Sequence, residues 1–293
     1  MTVCWFVGLT TLDVVHRANG RPSANEKVTA SRQDVAAGGP AANAAVTAAA
    51  LGVDAVLVTA LGTSPVAAAA RADLETCGVT VVDTAAGAVD FPLAVSAVLV
   101  DDATGVRSVI SADGALSVAP TPTADLLDGL PAPEVVLFDG HHPALTQAVL
   151  AWLDGRADDR PLVVLDAGRW RPIFTDLIPA ADVVAASDDF TLPDDDHLVA
   201  GLFERGARGV VITHGPHPAE WHAGDGFQAG LVDIPEVAAV DTLGAGDAFH
   251  GALVAALASG VGLPSAVTSA VEVASTRVQH VGPRVWLNQL EVN

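Results

Sequence analysis

Six short runs of almost wholly apolar, mostly β-branched residues punctuate the chain: Val3–Val7, Ala55–Thr59, Val135–Phe138, Leu162–Leu165, Val183–Ala185 and Val210–Thr213. Between most of them lie stretches of helical composition, among them Pro40–Leu51, Val66–Thr76, Ala144–Leu153 and Asp247–Ala258. A strand that is apolar along its whole length must be covered on both faces. Strands of that kind alternating with helices predict an α/β fold, a doubly wound and mostly parallel sheet flanked by helices. The 293 residues leave room for two average domains or one large α/β domain with an excursion. We read residues 1–293 as one domain.

Two segments interrupt the alternation. Asp13–Val35 holds polar, extended stretches without a helical period. Pro92–Ser111 reads as a hairpin, with arms Leu93–Val100 and Val106–Ile110 about the turn Asp101–Gly105. Together, 13–35 and 92–111 predict a small β lid on the main domain. Alternation puts Leu93, Val95, Ala97 and Leu99 on one lid face, and Ala94, Ser96, Val98 and Val100 on the other.

Composition removes several classes of function. A formal charge of −21 repels phosphate backbones and anionic lipid, which argues against nucleic acid and membrane surfaces as partners. Cys4 and Cys77 stand far apart, so neither a disulfide framework nor a cysteine zinc site is expected. The start, Met1–Val7, lacks the basic stretch of a signal peptide, and a cytoplasmic protein is expected. Lys27, in Asn25-Glu-Lys-Val-Thr29, is the only lysine. A Walker A loop and a protein-kinase strand lysine are therefore both excluded.

Three motifs carry chemistry. In Val240-Asp-Thr-Leu-Gly-Ala-Gly-Asp-Ala-Phe-His-Gly251, Gly244-Ala245-Gly246 turns into a helix N-terminus. Small residues there let backbone N–H groups face open space, and the helix dipole adds positive charge, which makes an anion hole. Asp247, in the first turn beside the hole, is placed to accept a proton from an attacking hydroxyl. An ordinary glycine turn with a capping carboxylate would use the same residues. Ala37-Gly-Gly-Pro-Ala-Ala-Asn43 also opens a helix on glycines, and the Asn43 amide can donate to and accept from sugar hydroxyls. Close helix–sheet packing is the alternative use of Gly38 and Gly39. Gly8-Leu-Thr-Thr-Leu-Asp13 follows the first strand, so Asp13 stands at the carboxyl edge of the sheet, where ligands of open α/β sheets bind.

In this order and spacing, the three motifs resemble the ribokinase family, the PfkB carbohydrate kinases, over nearly the whole chain. Gly38-Gly39 with Asn43 is similar to the family's N-terminal signature, and Asp241-Thr-Leu-Gly-Ala-Gly-Asp247 to its C-terminal one. Gly8–Val14 and Asp241–Phe249 look most like ketohexokinases; Gly38–Ala42 and Phe249–Leu253 are similar to bacterial sulfofructose kinases. The resemblance implies a ribokinase-like fold and ATP-dependent phosphorylation of a sugar hydroxyl. In that scheme Asp247 is the base, Gly244, Ala245 and Gly246 form the anion hole, and Asp13, Gly38, Gly39 and Asn43 hold the sugar. Ser187, Thr213, Gly215, Asp241 and Thr242 fall where the family meets the nucleotide. Mg²⁺ is implied with ATP, with room for a monovalent cation, and two lids are implied to clasp as a C2 homodimer.

Departures from the family pattern are local. The strand Val183–Ser187 normally ends in Asn-x-x-Glu, which organises Mg²⁺ and phosphates, and here it reads Ser187-Asp-Asp-Phe190. Asp188 or Asp189 is the candidate replacement, acting through water. The nucleotide loop, usually Thr-x-Gly-x-x-Gly, reads Thr213-His-Gly-Pro-His-Pro218, and Thr63-Ser-Pro-Val-Ala67 replaces the acid and glycine that follow Gly62. His141-His142 occupies a place where related kinases carry arginine, which argues against an anionic sugar unless Arg107 of the lid compensates. The prolines around His214, His217 and His222 argue against a zinc cluster. The leading expectation is a kinase acting on a primary hydroxyl of a ketose or pentose. A nucleoside kinase on the same fold and a non-catalytic sugar- or nucleotide-binding protein are the alternatives.

Overall fold

The computed structural model describes residues 2–88, 90–156, 160–224 and 228–290. Its main sheet has nine strands. In chain order they are β1 (Val3–Val7), β4 (Asp54–Thr59), β5 (Thr80–Asp83), β8 (Val135–Phe138), β9 (Leu162–Ala167), β10 (Val183–Ser187), β11 (Gly209–His214), β12 (His217–Ala223) and β13 (Gln228–Val232). Across the sheet they run β13-β12-β11-β10-β9-β8-β1-β4-β5, and every pairing from β11 to β5 is parallel. The β12–β13 hairpin pairs antiparallel at one edge. Its alternation of polar His217, Glu220 and His222 hid it from a search for fully apolar runs.

Helices cover both faces. Cys4 and Phe6 of β1 point into one core with α1 (Pro40–Ala50), α2 (Pro65–Thr76), α7 (Ala245–Ala258) and α8 (Leu263–Val278). Trp5 and Val7 point into the other, against α3 (Ala124–Asp128), α4 (Pro143–Asp154), α5 (Phe174–Leu177) and α6 (Leu198–Glu204). One strand thus feeds two cores by simple alternation. Local chemistry sets the helix starts. Pro40, Pro65 and Pro143 each stand at a first helical position, and Ser64 Oγ accepts from Ala67 N at the start of α2.

A second sheet of four strands is built from the two interrupting segments: β2 (Thr11–Ala18), β3 (Arg32–Gly38), β6 (Val95–Asp101) and β7 (Arg107–Ile110), in the order β3-β2-β6-β7. Pairing Thr11 with Gly38 carries the sheet beyond 13–35 at both ends. The alternation along β6 holds, with Ser96, Val98 and Val100 buried and Val95 and Ala97 exposed. Val15, Val98 and Val100 pack on Leu243, whereas the outer face leaves Val35, Val95 and Ile110 in water. Among the described residues, no helix is long and apolar enough to cross a membrane.

Candidate active site

The centre of the site is set by a close contact of α1 and α7. A β-carbon on Gly251 would lie 2.4 Å from the Ala44 carbonyl oxygen, so only glycine on α7 and an alanine-rich α1 let the helices approach this far. Their N-terminal turns therefore converge. Asn43 Nδ2 donates to Asp247 Oδ2 at 2.8 Å, which joins the two glycine motifs across 204 residues. Gly244 caps α7 with φ 72°, a conformation that favours glycine, and beside Gly246 there is open space. The N–H of Ala245 reaches Thr242 O at 3.4 Å, and the next N–H groups of α7 have no intrahelical acceptor.

Burial pushes the Asp247 pKa up to about 7, helped by the negative Asp166; the amide of Asn43 and the positive charges of His250 and Arg107 pull the other way. Asp166, at the end of β9, is itself raised by burial, and His250 Nδ1 lies 3.4 Å from it. Neither residue carried a sequence signal, since a single acid in a strand and a single histidine in a helix fit many roles. Arg284 was missed for the same reason. Its Nη1 donates to Asn43 Oδ1 at 3.2 Å, while Nε and Nη2 hold Asp73 at 3.2 and 2.8 Å. Because Arg284 takes the amide oxygen, the amide nitrogen of Asn43 must face Asp247.

At the residues expected to hold the sugar, Thr11 Oγ1 donates to Asp13 Oδ1 at 2.6 Å, and burial raises the Asp13 pKa. Gly38 leaves the space this carboxylate fills, since a β-carbon there would lie 2.1 Å from Asp13 Oδ2. Gly39, at φ 100°, lies under the Leu9 carbonyl and starts α1. Asp13, Asn43 and Gly244 line one narrow cavity with Arg284. Asp139, unforeseen in the sequence, ties this floor together: its carboxylate accepts from Leu9 N, Ala41 N and His141 N at 2.9, 3.2 and 2.9 Å. Burial alone would raise its pKa; His141 and these N–H groups outweigh burial and lower it to about 2.

His141 Nδ1 stands 3.3 Å from Asp139 Oδ1, and its Nε2 accepts from Arg171 Nη2 at 2.7 Å. The structure thus corrects the expectation that histidine leaves this place without an arginine: Arg171 enters it from the loop after β9. Arg107 is exposed on the lid, and its Nη1 donates to Thr242 Oγ1 and O at 3.2 and 3.4 Å, just ahead of the Gly244 turn.

Ser187 and Thr213 are register partners at the ends of β10 and β11. Gly215, at φ 58°, belongs to the tight turn that joins His214 to His217, so its glycine character already has a geometric cause. Asp241 differs from a nucleotide contact. It is 1% exposed, accepts from Leu243 N and Gly282 N at 3.1 Å each, and has Arg17 and Arg277 guanidiniums at 3.5 Å. Asp188 Oδ1 is engaged with His214, and Glu220 sits between His214 and His222 at 3.2 and 3.4 Å. No group of three or more acidic, histidine or cysteine side chains that could hold a metal occurs among the described residues.

The profile described as the pfkB family of carbohydrate kinases matches residues 1–289. An ATP-dependent ribose-1-phosphate kinase of Halopiger xanaduensis is 30% identical over 264 residues, 85% of this chain and 82% of the relative. A ribokinase of Bacillus subtilis is 26% identical over 94% of this chain and 92% of its own. The solved structure of Arabidopsis thaliana ribokinase, complexed with ribose and ATP, superposes with a TM-score of 0.76 at 22% identity, covering 96% of this chain and 94% of that one.

Proposed function

The chain belongs to the pfkB family of carbohydrate kinases and is a phosphotransferase with an alcohol acceptor; from that premise we propose that it moves the γ-phosphoryl group of ATP to a sugar hydroxyl, with Asp247 as general base. The observation that carries this reading is the 2.8 Å bond between Asn43 and Asp247. It gathers a sugar-binding amide, a titratable carboxylate and a helix N-terminus at one point. A base with a pKa near 7 is half-ionised at neutral pH, which suits proton transfer.

In the proposed step Asp13 and Asn43 hold the sugar, and its hydroxyl donates to Asp247. As the hydroxyl oxygen bonds to the γ-phosphorus, its proton passes to Asp247 and the bond to the ADP oxygen breaks. The N–H groups at the start of α7 stabilise the charge that develops on the transferring group. Arg107, beside Thr242, is positioned to add positive charge there. Ser187, Thr213, Gly215 and Thr242 are our candidates for the nucleotide side. The described side chains offer no ready metal cage, so we assign Mg²⁺ to the phosphates and water, consistent with its preference for keeping waters. Donation by ATP supports a cytoplasmic location.

We take the acceptor to be a pentose or ketose; the named relatives act on ribose and on ribose 1-phosphate. The exposed Val35, Val95 and Ile110 face of the lid supports a lid-to-lid homodimer. The test is ATP consumption over a panel of sugars, sugar phosphates and nucleosides, comparing wild type with Asp247→Asn. Turnover only with nucleosides would assign the chain to that class. Absence of turnover with every acceptor would assign it to a binding role.

A further inference from the structure

Asp166 places a carboxylate where the alternation of β9 calls for an apolar side chain. Val164 packs in the core shared with α7, Leu165 and Ala167 point into the opposite one, and Asp166 falls on the α7 face. It is 7% exposed and is the register partner of Ala185 on β10. His250, equally buried, reaches across both strands from α7. Its Nδ1 lies 3.4 Å from Asp166 Oδ2, and its Nε2 lies 3.3 Å from the Ala185 carbonyl oxygen. The step above uses neither residue.

These contacts fix the number of protons the pair holds. A carbonyl oxygen only accepts, so Nε2 carries a proton and points it at Ala185. Nδ1 is buried without a hydrogen-bond partner, and Asp166 is the carboxylate it faces. A bare Nδ1 opposite an ionised carboxylate would set two lone pairs against each other, which burial makes costly. One further proton therefore resides on Nδ1 or on Asp166, and in either form the pair carries no net charge. His250 follows Asp247 by three residues, on the same side of α7. Other charges reach the group from several elements. Asp139, His141 and Arg171 act on Asp166, Arg107 acts on Asp247, and Asp247 acts on Arg277 of α8. Glu272 of α8 is exposed. The other elements packed on α7, namely α1, β1 and β8, carry no charged side chain. Burial keeps the Cys4 thiol of β1 neutral by pushing its pKa up to about 12.

We propose that His250 is a positioning residue for phosphoryl transfer: the proton it shares with Asp166 keeps that pair neutral beside the base, so that Asp247 is the carboxylate free to ionise. The inference rests on the kinase reading and deepens it. The shared proton stays within the pair throughout, and the proton of the attacking hydroxyl goes to Asp247. Without the imidazole, Asp166 and Asp247 become two carboxylates in one poorly solvated site. Such groups titrate as a coupled pair in which the second ionisation is strongly opposed.

The experiment records the kcat–pH profile of wild type, His250→Gln, Asp166→Asn and the double variant, with thermal melting as the control for folding. His250→Gln should move the midpoint up by about one pH unit or more, a loss of about tenfold in kcat below the midpoint. Adding Asp166→Asn removes the second carboxylate and should bring the midpoint back to the wild-type position. A mere pin between α7 and the sheet would lower Tm without moving the midpoint, and the second substitution would not rescue it. An unmoved midpoint in His250→Gln, or a double variant that stays shifted, would therefore overturn the proposal. NMR of wild type with labelled histidine nitrogens and aspartate carboxyls tests the shared proton without any variant that must turn over. The signals are assigned by their absence from the double variant. A proton on His250 Nδ1 or on the Asp166 carboxyl upholds the neutral pair, and a bare Nδ1 beside an ionised Asp166 overturns it. If no acceptor consumes ATP, the kinase reading fails separately, and this spectrum alone judges the pair.

Discussion

Gly251 of α7 lies against Ala44 of α1 so closely that a β-carbon would stand 2.4 Å from the Ala44 carbonyl oxygen and 2.7 Å from Thr47 Cβ. Asn43 and Asp247 sit one residue and one turn away, so this contact sets the gap their hydrogen bond spans. Gly251→Ala must push the helices apart. Overpacking of this kind costs about 1–3 kcal/mol, and a shift of about 1 Å at a reacting group can cost about a hundredfold in rate. A lower Tm together with at least a tenfold loss of kcat is expected from melting and steady-state kinetics. Unchanged kcat would remove helix spacing from the mechanism.

Asp247 gives two pH predictions of opposite kind. As a base it must be ionised, so kcat should rise through pH about 7 and level off above it. Its folded pKa lies above the unfolded value of about 3.9, so the stability it contributes is fully present below that value and is lost as pH rises towards 7. Asp247→Asn should therefore lower kcat by about 10²–10⁴-fold while raising Tm at pH 8 more than at pH 5. Melting curves at the two pH values, run beside rate measurements, check both.

Gly246 faces open space, where an added β-carbon meets no neighbouring atom within 4 Å. Gly246→Val should melt within a few degrees of wild type, yet lose kcat because the side chain fills the space over the first N–H groups of α7. An effect confined to the KM for sugar would put the anion hole elsewhere.

Arg284 is expected to act through Asn43. Removing the guanidinium in Arg284→Gln frees Asn43 Oδ1 and lets the amide turn. The Asn43 bond holds the Asp247 pKa down against burial, so its loss should move the midpoint of the kcat–pH profile upward. A fall in rate with the midpoint unmoved would reduce Arg284 to a structural role.

The two lid faces call for different substitutions. Ile110 is 78% exposed, and Ile110→Asp should dissociate a lid-to-lid dimer while leaving the fold intact, as read by sedimentation. Val98 is 2% exposed against Val15, so Val98→Asp should destabilise the lid instead. A protein that sediments as a monomer before any substitution would dismiss the clasp.

The strands and helices were readable from the chain because their signals are local. Val3–Val7 is apolar at every position, Pro40 and Pro65 mark helix starts, and Gly244-Ala245-Gly246-Asp247 carries its turn and its carboxylate within four residues. The edge hairpin β12–β13 escaped because a strand with one open side alternates like a surface loop. The partners of the site escaped for a different reason. Arg284 meets Asn43 across 241 residues, Leu9 meets Asp139 across 130, and Arg171 meets His141 across 30. An isolated arginine or aspartate has the same local appearance whether it faces water or orients a base. Burial and the ionisation of Asp247 come into being only when distant segments pack, because charge and solvation depend on what surrounds a group in space.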